Sequence, residues 1–432
     1  MLENSEALAT IQGVFETQPE EPLKQFADSI FDVDTLEQLG PYHRSSHFEA
    51  VTDETVAWVK QLKIVESTPE SDAEIRAWAS MNAYAHDGEP HKLCVSGKIY
   101  GVLFLMDDLL GNDAQINGLN QKEQQFLGQM LLSLKGTLKL VIQGQDPRGI
   151  TFELPAASSA ELTPFYRKAQ VLFHEAWEVL QLVRTETDQQ YTIEFSFLLA
   201  SHLSEALKQQ DEGILATIAS APLDQVIEQY LRLRRKVSGM QLGRKVTEYT
   251  AGSQLGVRAL REKSAGNSNV QNFVQLLSNL EQCVDDFGGL GNDGLSARKE
   301  VLRDGTIFNY LPIVMLGLAQ EQAPGTILFD QLYSAAILSL QKRLLQLTQN
   351  FSHMLTGDET QSSIFQLLDQ LDETMLTPAG SELSAAEIKK QVRSYILGLQ
   401  QYFLATYYWE IDAEGGKNRY QSTSDTSTAV IK

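Results

Sequence analysis

The feature that most limits what this chain can fold into is a succession of long helical repeats with almost no proline to interrupt them. Residues 165–184, 192–209 and 222–235 carry apolar side chains at i, i+3, i+4 and i+7, the signature of a helix burying one face. Residues 326–355 and 384–410 extend the same period over the longest stretches. Only 12 of 432 residues are proline, and Leu, Gln, Ala and Glu dominate, which favours long helices. The expected fold class is all-α. Residues 92–104 hold enough Val and Tyr for a strand, but the apolar run continues through 105–110, so a buried helix is the better expectation. Residues 138–164, with Gly144, Pro147 and Gly149 at the centre, are expected as a β-hairpin or an irregular insertion. No linker divides the chain. One domain over residues 21–420 is expected, after a loosely held acidic segment at 1–20 and before a disordered Ser- and Thr-rich tail at 421–432.

Charge narrows the partners. A net charge of -21 argues against nucleic acid, whose phosphates require Lys and Arg, and against anionic membrane surfaces. It leaves room for a phosphorylated substrate, because a divalent cation can join carboxylates to phosphates. The two cysteines, Cys94 and Cys283, make neither a disulfide framework nor a zinc site. The N-terminus lacks the basic and apolar regions of a signal peptide and no apolar run approaches a membrane span. A cytoplasmic, membrane-free protein is expected. The seven histidines form no metal-ligand pair at helical spacing.

Two acidic motifs carry the chemistry. Asp107 and Asp108 end an apolar run that includes Phe104. Adjacent carboxylates at the end of a greasy helix are costly unless a cation meets them, although a solvated helix end explains such a pair equally simply. The second motif is more specific. Asn292, Ser296 and Glu300 stand at i, i+4 and i+8. At about 100° per residue each step of four drifts only ~40°, so the three share one face over ~12 Å. An amide oxygen, a hydroxyl and a carboxylate are three hard ligands suited to Mg²⁺.

These residues resemble those of the class I terpene synthases of bacterial type. Asn292, Asp293, Ser296, Lys299 and Glu300 match every specified position of that family's second metal motif, and Asp107 and Asp108, with Phe104 three residues earlier, stand where it has its aspartate-rich motif. The family's third acidic position falls on Gly111 and Asn112, with Asp113 one step beyond. Asn418, Arg419 and Tyr420 resemble the Arg-Tyr pair that closes over diphosphate. Arg235, Ser238 and Gly239 resemble the diphosphate sensor, the linker and the effector carbonyl, with Arg232 and Arg234 competing for the sensor's place.

The resemblance implies a single helical bundle and a lyase that ionises farnesyl (C15) or geranylgeranyl (C20) diphosphate, cyclises the cation and releases diphosphate. It implies three Mg²⁺ ions, held by Asp107 and Asp108 and by Asn292, Ser296 and Glu300. Arg235, Lys299, Arg419 and Tyr420 would bind the diphosphate, and Phe104 and Tyr100 would line the hydrocarbon cavity. Trp409, Tyr407 and Tyr408 could join them or simply pack the core. The resemblance leaves monomer or homodimer open. A prenyl-chain elongating transferase of the same fold is the alternative, prompted by Asp285 and Asp286. A non-enzymatic helical scaffold is the more distant one.

Overall fold

A computed structural model of the chain describes residues 4–18, 22–107, 119–154, 164–206, 211–321, 329–357, 362–372, 376 and 383–412. The described residues form helices joined by short turns, with no strand among them. The all-α expectation therefore holds. No helix among the described residues is long and apolar enough to cross a membrane.

The helix Ser268–Lys299 is the axis of the bundle. Around it pack Leu223–Val237, Met240–Thr250, Tyr310–Glu321, Phe329–Thr356 and Ala385–Ile411. Glycine disfavours a helix interior, yet this helix runs through Gly288, Gly289 and Gly291. The bare backbone is compensated by what fills the space: Met240, Arg234 and Phe31 lie against those positions. Rings from the three longest helices stack at its centre. Phe287 and Phe403 have centroids 3.9 Å apart, and Phe351 and Phe403 4.2 Å, geometry that adds to ordinary burial.

The helix Pro90–Met106 is the second buried element. Proline at its first position is tolerated because the missing N–H would have had no partner there. Its run from Ile99 to Leu103 is buried on every side, as expected for a helix without a solvent face. It packs on Phe48–Leu62, Pro69–Ala85, Pro164–Glu186 and Met240–Thr250. The strand alternative for 92–104 is thus excluded: the apolar run is too long for a strand and meets helices on all its faces.

Two expectations need correction. Within 138–164, Gln121–Ile142 is helical, a 3₁₀ turn spans Pro147–Gly149, and residues 151–154 are irregular. No hairpin forms among the described residues; residues 150–154 take the irregular alternative, and the Ser133 Oγ donates to the Glu153 carbonyl at 2.6 Å. Residues 155–163 lie outside the described residues. The acidic N-terminal segment, expected to be loose, contains the helix Asn4–Thr17, with Ala7, Ile11, Val14 and Phe15 buried. Its end is tied down by Arg298, which donates to the carbonyls of Phe15 and Gln18 at 2.5 and 3.2 Å. The expected tail at 421–432 lies outside the described residues.

A buried histidine makes the interior sensitive to acid. His86 is 3% exposed, and burial pushes its pKa down to about 3. A neutral ring in the fold and a ring titrating near ~6.5 in the unfolded chain give stability that is fully present above ~6.5 and is lost as pH falls toward 3, by up to about 1.4 kcal/mol per pH unit. Denaturant unfolding of wild type and His86→Gln between pH 7 and 4 should show wild type losing stability more steeply by about that slope. Parallel curves would mean that the ring is not held neutral.

Candidate active site

Leu223–Val237 and Met240–Thr250 are two helices interrupted by Ser238 and Gly239. Gly239 has φ +73°, a left-handed conformation that costs a residue with a side chain about 1–2 kcal/mol. The break opens a cavity between these helices, Pro90–Met106, Ser268–Lys299 and Ala385–Ile411. Its space, open mouth included, is about 760 Å³.

One part of the lining is polar: Asp107, Arg234, Ser238 and Asn292. The rest is largely apolar and aromatic, with Tyr100, Leu103, Phe104, Tyr402 and Trp409. Phe104 stands between Trp409 and Tyr100, with ring centroids 5.8 and 6.4 Å away. The indole N–H of Trp409 donates to the Ala77 carbonyl at 3.0 Å, which fixes the ring while its faces stay apolar.

Arg234 organises the polar part. One guanidinium nitrogen donates to Asn292 Oδ1 at 2.6 Å and lies 2.8 Å from Asp293 Oδ1. Asp293 is fully buried and also accepts from the Tyr230 hydroxyl. Burial raises the Asp293 pKa to about 7, against the pull of Arg234. Burial works most strongly against the charge of Arg234, but Asp293, Tyr230, Glu300 and Asp107 together outweigh it, so its pKa is raised. The Arg234 Nε–H is buried and has no hydrogen-bond partner among the described residues. An unspent buried donor is costly unless an acceptor arrives.

Asn292, Ser296 and Glu300 lie along one face, as their spacing requires. Ser296 Oγ is 2.7 Å from both the Asn292 carbonyl and Glu300 Oε1, and Asn309 Nδ2 donates to Glu300 Oε2 at 2.9 Å. The backbone changes to a π-helical turn at Glu300–Asp304. Among the described residues no three His, Cys, Asp or Glu side chains converge. The donor set here mixes one carboxylate with an amide and a hydroxyl, all hard oxygen ligands that fit Mg²⁺. The arginine cation already resting on Asn292 Oδ1 marks the place as one that accepts positive charge.

The sequence-named residues divide into three groups. Tyr100, Phe104, Asp107, Ser238, Gly239 and Asn292 line the one cavity. Ser296, Lys299, Glu300 and Arg235 are not in its lining. Arg235 turns away and binds Asp286 through two nitrogens at 2.5 and 2.8 Å, so the arginine at the cavity is its neighbour Arg234. One residue is about 100° of helix, which suffices to exchange them. Asp108, Arg419 and Tyr420 lie outside the described residues, as do Gly111, Asn112 and Asp113. The Gly239 carbonyl accepts from the Gly243 N–H at 3.0 Å. Trp409 lines the cavity, whereas the Tyr407 hydroxyl donates to Asp28 at 2.7 Å and Tyr408 stacks on Tyr42. Sequence reasoning missed Met81, His202, Met240, Tyr402, Thr406 and Glu410. Tyr402, Thr406 and Glu410 stand at i, i+4 and i+8 on the helix of Trp409, which was the available signal.

No family model and no curated protein sequence matches the chain. Among solved structures it is similar to α-eudesmol synthase, with 15% identity over 86% of this chain and 96% of that one, at a TM-score of 0.53. It is similar to a variant of cucumene synthase, with 12% identity over 88% and 99% and a TM-score of 0.54. A third is germacradien-4-ol synthase from Streptomyces citricolor, with 14% identity over 86% and 98% and a TM-score of 0.50. At these identities the likeness concerns the backbone, and on that evidence this chain has the class I terpene synthase fold.

Proposed function

We propose that this chain is a Mg²⁺-dependent class I terpene synthase that ionises farnesyl or geranylgeranyl diphosphate and cyclises the resulting cation. The observation that carries the proposal is one cavity with two unlike parts. Asp107, Asn292 and Arg234 lie on one side, and Phe104, Tyr100 and Trp409 form the other. A substrate with an anionic head and a hydrocarbon tail matches both.

Asp107, and Asn292 with Ser296 and Glu300, would hold the Mg²⁺ ions. Bound Mg²⁺ supplies charge neutralisation at the departing diphosphate. Arg234 adds charge-assisted hydrogen bonds to the same group, from a position fixed in advance by Asp293 and Tyr230. The aromatic wall excludes water, which would quench the cation, and presents ring faces that favour positive charge without reacting with it.

The elongating transferase is less well supported. Its second aspartate motif would have to be Asp285 and Asp286. Asp285 binds Arg244 at 3.0 and 3.1 Å, and Asp286 binds Arg235. Both carboxylates already have cations, and neither lines the cavity.

Chelating Mg²⁺ should abolish diphosphate release from either substrate, and Asp107→Ala and Glu300→Ala should each lower turnover by roughly 10²-fold or more. Wild-type turnover in either variant would remove that residue from the metal site. Elongated diphosphate in place of hydrocarbon and free diphosphate would favour the transferase.

The neighbouring arginines should separate cleanly. Arg234→Lys keeps the charge but loses the planar fork, and should cut turnover by roughly 10- to 100-fold. Arg235→Lys should leave turnover within a few-fold while lowering the melting temperature, because it weakens a two-point pair with Asp286. The reverse pattern would restore Arg235 as the diphosphate sensor.

Phe104→Ala should change the products more than KM. An aromatic face beside the cation is worth roughly 0.5–2 kcal/mol, so its loss should yield linear or less cyclised alkenes and alcohols. An unchanged product mixture by gas chromatography–mass spectrometry would place Phe104 outside the hydrocarbon's path.

A further inference from the structure

Away from Asp107 and Asn292 lies a chain of hydrogen-bonding groups for which diphosphate departure has no use. Tyr100 and Tyr402 line the cavity and are 5% and 1% exposed. Their hydroxyls converge over Gly243. A Cβ at that glycine would lie 1.9 Å from Tyr402 Oη and 2.7 Å from Tyr100 Oη, so the absent side chain is what lets the two hydroxyls meet. At that position the two hydroxyls act on each other. Tyr100 Oη is also 2.8 Å from His86 Nε2, and His86 Nδ1 is 3.3 Å from Thr247 Oγ1. At the other end Tyr402 Oη is 3.3 Å from Met240 Sδ, another cavity residue. His86 itself is not in the cavity lining.

Tyr402, Tyr100, His86 and Thr247 can each both donate and accept, so the chain has two polarities; Met240 Sδ only accepts. In one, Tyr402 donates to Tyr100, Tyr100 to His86 Nε2, and His86 Nδ1–H to Thr247 Oγ1, whose own proton goes to the Gly243 carbonyl 3.2 Å away. In the other, His86 Nε2–H donates to Tyr100, Tyr100 to Tyr402, and Tyr402 to Met240 Sδ. In the first polarity, the Tyr402 oxygen donates inward and keeps a lone pair to spare at the cavity wall.

We propose that His86, Tyr100 and Tyr402 form a proton relay that ends cyclisation by deprotonating the cation. The proposal rests on the terpene synthase reading and adds to it the group that receives the proton. Tyr402 Oη takes a proton from the carbon next to the cationic centre, and the C–H electron pair becomes the π bond of the product alkene. Tyr402's own proton passes to Tyr100 Oη, and that of Tyr100 to His86 Nε2. The positive charge leaves the hydrocarbon and ends on the imidazolium, so the buried region holds one positive charge before and after. Burial therefore opposes the transfer far less than it opposes charging His86 from water. The same burial, which lowers His86 to about 3, makes the ring give the proton up again once the product has left.

The test compares wild type, Tyr402→Phe, Tyr100→Phe, His86→Gln and the Tyr402→Phe/His86→Gln double variant, with Mg²⁺ and whichever of farnesyl or geranylgeranyl diphosphate wild type converts. Products are expressed as fractions of total product, so the comparison does not depend on rate. In each single variant the fraction of the main wild-type alkene should fall at least fivefold, replaced by alkenes deprotonated elsewhere and by alcohols. The double variant should shift no further than Tyr402→Phe alone, because links in one chain are not additive. A purely structural or shape effect would add. His86→Gln acts from behind the wall, so wild-type products from it alongside continued diphosphate release would overturn the relay and leave the terpene synthase reading intact. Should His86→Gln fail to fold, Tyr402→Phe, which removes one oxygen, decides by the same criterion. Absence of diphosphate release in wild type with both substrates would overturn the terpene synthase reading, and the relay with it.

Discussion

The pairing of Arg234 with Asn292 and Asp293 joins the helix Leu223–Val237 to the central helix Ser268–Lys299 at the point where the cavity opens. A buried guanidinium and a buried carboxylate are each expensive alone and tolerable only together. The pair therefore fixes the register between the two helices, and Tyr230, four residues before Arg234, locks it by donating to the same Asp293. From that register follows the rest of the polar part: Asn292 is brought to the cavity, Ser296 and Glu300 are laid along the same face, and the Arg234 Nε–H is left without a partner among the described residues.

The other side of the cavity depends on helices approaching without side chains between them. Gly239 ends one helix and starts the next in a conformation a substituted residue would resist. Gly243 lets Tyr100 and Tyr402 meet. The buried helix Pro90–Met106 then carries Tyr100 and Phe104 into the wall and Asp107 to the polar part, at spacings of four and three residues. One helix thus serves both parts of the cavity because its side chains repeat every 3.6 residues. Buried charges elsewhere in the bundle are paired within it: Arg244 and Arg261 meet Glu281 at 3.2 and 2.5 Å, and Arg244 also binds Asp285. That pairing is why the Asp285–Asp286 motif, conspicuous in sequence, plays its part in packing.

Much of this was legible in the sequence because it rests on periodicity. The spacing of Asn292, Ser296 and Glu300 sets a shared helical face whatever surrounds it, and the length of the apolar run around Phe104 and Asp107 favoured a buried helix ending in charge over a strand. The arginine was harder. Arg232, Arg234 and Arg235 are equivalent by residue type, and which one reaches the cavity depends on the rotation of a helix about its axis. That rotation is decided by Asp293 and Asp286, more than 50 residues away in the chain. The N-terminal helix was misjudged for a related reason. Its acidic composition suggested a loose segment, but Ala7, Ile11, Val14 and Phe15 form an apolar stripe that becomes meaningful only once there is a bundle to receive it.

The sequence by itself determined the helical class, the position of the buried helices and the shared face of the second acidic motif, since each follows from the local geometry of an α-helix. The tertiary structure alone decided which arginine lines the cavity, that Trp409 enters the wall while Tyr407 and Tyr408 do not, and that His86, Tyr100 and Tyr402 connect. Those outcomes turn on helix rotation and on contacts between segments as much as 379 positions apart (28 to 407). Such distances and angles are fixed by close packing of the whole bundle, and no local pattern carries them.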